Sequence, residues 1–159
     1  MRKNIFLTAG VLFVLIQFLR PKQDIGELTT INTFLKETKP SKEVQNILKT
    51  SCYDCHSNAT AYPWYNHITP INYYLNRHVN HGKEHFNISS WESYNTHKKA
   101  HILEEIIETI ENETMPLTSY KIIHQDSKIT KEEATSLIQW AKLTWLDYNS
   151  KINPKGIFE

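Results

Sequence analysis

Ser51-Cys52-Tyr53-Asp54-Cys55-His56-Ser57 is the stretch from which the rest of this chain is best read. It contains both cysteines of the sequence, separated by two residues and followed at once by a histidine. Just upstream, Ser41 is suited to cap a helix that carries Val44, Ile47 and Leu48 on one face, at the i, i+3, i+4 spacing of an amphipathic helix. The cysteine pair therefore arrives at a helix end.

Working outward, residues 57–70 hold Pro63, Trp64, Tyr65 and Pro70 without clear periodicity and read as an aromatic-rich loop. Ile71, Tyr74, Leu75, His78 and Val79 recur at helical spacing, with a stop expected near Gly82. A further helix is expected from about Tyr94 to Glu111, turning Leu103, Ile106, Ile107 and Ile110 inward. Thr130 with Glu133 forms a capping box for a last helix that buries Ala134, Leu137, Ile138, Ala141 and Trp145. No alternating strand pattern is long enough to define a sheet. The chain reads as all-α.

At the other end, Met1-Arg2-Lys3-Asn4 precedes an apolar run from Ile5 to Leu19 that is broken only by Thr8, Gly10 and Gln17, and Arg20-Pro21-Lys22 follows. A charged start before an apolar run is an export signal. It has no small-residue cleavage site, yet it is shorter than the roughly 17 to 25 residues of a comfortable span. We read it as a signal anchor in preference to a removed signal peptide, with the basic end inside and the body on the periplasmic side. The expected layout is 1–22 anchor or signal peptide, 23–40 linker or extra helix, 41–149 helical domain and 150–159 tail. At 159 residues this is one domain.

The formal charge of +1 hides an asymmetry. Setting aside Arg2, Lys3, Arg20 and Lys22 leaves 14 basic against 17 acidic residues, a net −3. A body of that sign is ill suited to neutralise phosphates, so nucleic acid is not an expected partner.

Two thiols one helical turn apart, with histidine next, form the attachment signature of c-type haem. Each thiol adds to one vinyl group at the porphyrin edge, and the following imidazole lies where it reaches the iron. Competing readings are a redox disulfide, which lacks the accompanying βαβ pattern, and a zinc site that would have to recruit His97 and His101. The body holds one methionine, Met115, followed by Pro116 and 59 residues beyond His56 (115 − 56). A thioether there suits the second axial position and a raised potential, with core filler as the plainer reading. His78 and His81 are its nearest rivals. Arg77, the one arginine outside the N-terminal flank, and Trp64 are candidate propionate partners. The Asn-x-Ser/Thr triplets at Asn58, Asn87 and Asn112 receive no role.

Cys-Tyr-Asp-Cys-His-Ser-Asn at 52–58, Tyr-Pro-Trp-Tyr at 62–65, Pro70, His78-Val79 with Gly82, Asn87 with Trp91, Met115-Pro116 followed by Tyr120 and His124, and the stretch from Thr130 to Trp140 together resemble the bacterial haem-binding domain family, a relative of class I cytochromes c. The resemblance covers roughly residues 41–145. It implies a cytochrome c-like helical domain around one covalent haem c, thioethers at Cys52 and Cys55, His56 and Met115 as the iron ligands, and a final helix crossing the first. Leu117 departs from the family, which often has a second proline there. The function expected is single-electron transfer in the periplasm by a non-enzyme, a monomer meeting redox partner proteins transiently. A haem-based sensor or ligand-binding module is the alternative, and a peroxidase-like enzyme lacks an identifiable distal acid–base pair.

Overall fold

The computed structural model describes residues 2–23 and 25–153. Among these the chain is helical and has no strand. The helices are α1 (Arg2–Ile16), α2 (Asn32–Thr38), α3 (Lys42–Ser51), α4 (Tyr53–His56), α5 (Ile71–His85), α6 (Thr96–Glu111), α7 (Thr118–Ile123) and α8 (Lys131–Ile152). Short 3₁₀ turns lie at Leu28–Ile31, Trp64–His67, Ile88–Ser93 and Gln125–Ser127.

Local chemistry sets the boundaries. The Ser41 hydroxyl accepts from the Val44 N–H at 3.2 Å and opens α3. Thr130 and Glu133 exchange the two bonds of a capping box and open α8. α6 begins at Thr96, two residues later than its apolar pattern suggests, because the Asn95 side chain caps it by accepting from the Lys98 N–H. Tyr94 belongs to the preceding turn, where its hydroxyl accepts from the Asn87 N–H.

The core forms where α6 and α8 lie along each other and α3 packs onto α8. Leu103, Leu137 and Ala141 are fully buried there and Ile106 and Ile110 nearly so, as the periodicity requires. Ile107, Ala134, Ile138 and Trp145 are only partly buried, and Ile102 and Trp140, flanking the expected stripes, join the core instead. The stretch read as a linker or extra helix contributes to this core through α2. Phe34 is 1% exposed, with its ring edge-on to Trp91 at 5.0 Å and to Trp140 at 6.0 Å. Burying a phenylalanine in this way stabilises by roughly 1.5–3 kcal/mol.

α1 departs from the expected anchor. It is an apolar helix of 15 residues with none buried, and at about 1.5 Å per residue it falls short of a hydrocarbon core of about 30 Å. No helix among the described residues is long and apolar enough to cross a membrane. The end of α1 is nonetheless tied to the body. The Gln17 amide accepts the Thr69 N–H at 2.9 Å and donates to the Thr69 carbonyl at 3.1 Å, and Asn76 donates to the Lys22 carbonyl at 2.7 Å.

Gly82 does not end its helix as its residue type suggests, since α5 continues to His85. Its role is close approach. A Cβ at position 82 would lie 2.6 Å from the Cys55 carbonyl oxygen and 3.0 Å from the Cys55 Cβ. The missing side chain is what lets α5 lie against α4.

Glu37 ties four elements together at one oxygen. Its Oε2 accepts from Lys99 Nζ at 2.7 Å, Tyr148 Oη at 2.7 Å and Trp91 Nε1 at 3.1 Å. Desolvation alone would raise its pKa, but the bonds from Lys99, Tyr148 and Trp91 and the Lys99 charge bring it below the ordinary value.

Two outcomes follow from this packing. Glu37→Gln should lose roughly 1–2 kcal/mol of stability at pH 7, because charge-assisted bonds to a part-exposed carboxylate are removed. A lowered folded pKa gives stability that is complete above the unfolded value of about 4.3 and is lost as pH falls through the folded value. Urea midpoints measured from pH 7 down to pH 3 should therefore converge for the two proteins at the acid end. Gly82→Ala, which pushes a methyl group into backbone, should lower the urea midpoint by an amount equivalent to about 1–3 kcal/mol, and an unchanged midpoint would show that α4 and α5 are not in forced contact.

Candidate cofactor site

α3 delivers the chain to Cys52, and the single turn of α4 then carries Tyr53 to His56. The turn is braced by Ser57, whose hydroxyl donates to the Tyr53 carbonyl at 2.7 Å, and by Asp54, which accepts the Ala61 N–H at 2.9 Å and the Tyr120 hydroxyl at 2.6 Å. Burial and this bond raise the Tyr120 pKa, so Tyr120 stays a protonated donor.

His56 is buried, with its ring stacked on Phe86 at 4.1 Å and 11°. Its Nδ1 lies 3.2 Å from the Phe86 carbonyl oxygen. A carbonyl only accepts, which assigns the proton to Nδ1 and leaves the Nε2 lone pair free. Burial lowers the His56 pKa, against the opposing backbone bonds at Phe86 and Gly82. The result is a neutral, oriented imidazole, the form in which histidine binds a metal, and carbonyl support of the distant nitrogen is a recurring feature of such ligands.

Both cysteines are free thiols. Burial pushes Cys52 up to about 12, with the neighbouring Cys55 adding to it. Burial and the Asp54 charge push Cys55 up to about 11, against Lys83. Thiolates are what redox disulfides and zinc sites require, and these environments disfavour them. His97 and His101 are exposed, and no group of three or more metal-binding side chains converges among the described residues.

Two cavities adjoin the α4 turn. The first, of about 320 Å³, is lined by Cys52, His56 and Met115, with Leu48, Phe86, Ile106, Ile110 and Leu137 as its apolar wall. The second, of about 350 Å³, is lined by Cys55, Asp54, Tyr65, His78, Val79 and Tyr120. The structure thus brings three of the sequence candidates into one cleft and sets Cys55 in the neighbouring one. Trp64 and Arg77 are exposed and line neither. Of the rival histidines, His78 lines the second cavity and its Nδ1 lies 2.9 Å from the Tyr74 carbonyl oxygen, while His81 sits against the His85 ring at 4.8 Å.

Sequence reasoning missed two participants, Phe86 and Glu105, and left His85 as one of seven further histidines that could supply a second iron ligand; His85 lines the first cleft. Phe86 acts through a carbonyl and a ring face, which no motif reveals. Glu105, between inward Leu103 and Ile106 on α6, lines the same cleft.

This donor set suits a flat apolar iron macrocycle. An imidazole with one nitrogen free, a thioether and a thiol face a cleft whose walls are largely aliphatic and aromatic. The model of the haem-binding domain family matches residues 11–143. No curated protein and no solved structure gives a significant match. The match takes in both cavities and most of the chain, which belongs to the haem-binding domain family.

Proposed function

We propose that this chain is a monohaem c-type cytochrome that carries single electrons at the periplasmic side of the cytoplasmic membrane. The observation that carries the reading is the His56 ring, neutral, buried and aimed by the Phe86 carbonyl within a cleft it shares with Cys52 and Met115. A haem held here supplies a one-electron iron couple. The protein's part is to attach, orient and shield it. Cys52, from the first cleft, and Cys55, from the adjoining one, would form the two thioethers. His56 and Met115 hold the iron.

No lysine or arginine among the described residues lines either cavity. In this reading the propionates would draw their donors from outside the cavities, from exposed Arg77 and Trp64. The apolar α1 and its basic flank associate the body with the membrane, and redox partner proteins meet a monomeric body of net acidic charge. A haem-based sensor is the second reading, favoured by His85, a further nitrogen ligand lining the same cleft as Met115.

Exported in a host that matures c-type haem, the protein should give low-spin spectra in both redox states and a far-red band from the methionine–iron bond. Met115→Ala should remove that band while the haem stays attached, and an unchanged spectrum would move the distal ligand to another residue such as His85. A high-spin wild type, or one that binds carbon monoxide readily when reduced, would favour the sensor. Replacing Cys52 and Cys55 together by alanine should abolish haem that resists acid–acetone extraction, and haem still retained would refute covalent attachment.

A further inference from the structure

Glu105 is out of place for an ordinary surface residue of α6. It lines the cleft that holds His56 and Met115, and its Oε2 is buried with no hydrogen-bond partner. Its other oxygen faces His101 Nε2 at 3.5 Å, and the side chain is 33% exposed overall. A buried carboxylate oxygen without a donor costs free energy, so it calls for an explanation other than folding. No lysine or arginine lines that cleft among the described residues, and His56 and His85 are its basic side chains. The Glu105 charge also reaches the His56 ring, where it works against burial by favouring the protonated form.

We propose that Glu105 sets the reduction potential of the iron held by His56, its carboxylate stabilising the ferric state from within the cleft. The proposal rests on the cytochrome reading above. With neutral histidine and methionine as axial ligands, the ferric centre carries one more positive charge than the ferrous centre. Reduction adds one electron from an external donor and neither forms nor breaks a bond. A carboxylate in a poorly solvated cleft attracts the extra charge and lowers the potential. With partial exposure discounted, the expected weight is on the order of tenfold in the ferric–ferrous equilibrium. Glu108 lines the same cleft but is exposed, so water screens it and it serves as the control.

The test is a mediated potentiometric titration of the haem-loaded full chain, with dithionite and ferricyanide as titrants, for the wild type, Glu105→Gln, Glu105→Asp and Glu108→Gln. Glu105→Gln should favour the ferrous state by about tenfold, about 59 mV for a one-electron couple, with the axial-ligand bands unchanged. Glu105→Asp should stay near the wild type, and Glu108→Gln should shift far less. Three results would overturn the proposal: no shift in Glu105→Gln, an equal shift in Glu108→Gln, or a shift accompanied by altered axial ligation or loss of haem from that variant alone. A wild type that never carries haem would instead refute the cytochrome reading on which it stands.

Discussion

The contact between the His56 ring and Phe86 is the constraint on which the site depends. It combines a bond at Nδ1 with a stacked ring face, and together they fix the imidazole in tautomer and in direction. The contact exists because α4 and α5 lie closer than two helices with ordinary side chains can, with Gly82 against the Cys55 carbonyl. Phe86 is the residue at which α5 ends, its N–H donating to the Gly82 carbonyl at 3.2 Å. Helix termination, close packing and ligand orientation are thus one arrangement.

The body that holds this arrangement is assembled around a second node at Glu37. That carboxylate joins α2, the turn at Ile88–Ser93, α6 and α8, and the aromatic cluster of Phe34, Trp91 and Trp140 lies beside it. The turn at Ile88–Ser93 is separated from Phe86 by Asn87 alone, so fixing Trp91 in the core also limits where the Phe86 carbonyl can lie. A small domain gains order at its cofactor site by pinning the segment just beyond it.

The helices that could be read in advance were those with a repeating apolar face and an explicit cap. α3 and α8 are of this kind, and for α8 the capping box alone located the start, whereas α6 was read from its apolar face without its Asn95 cap and its start was placed two residues early. The site was legible where chemistry demands particular residue types in a particular order, as at Cys52, Cys55 and His56. It was illegible where the contribution comes from backbone or from the meeting of distant segments. Phe86 offers a carbonyl, Gly82 offers the absence of a Cβ, and Tyr120 meets Asp54 across 66 residues. Glycine normally marks the end of a helix, so Gly82 pointed to a stop, whereas tertiary contact used it for close approach. At α1 the apolar run was already short of a comfortable span when read as sequence, and no helix among the described residues is long and apolar enough to cross a membrane.

The central claim is that the α4 turn carries a covalently attached haem. The most direct test is the intact mass of the denatured full chain after export in a host with c-type haem maturation. The account predicts the polypeptide mass plus one haem, retained through denaturation. A bare polypeptide mass, obtained from a protein that is folded and correctly exported, would contradict it.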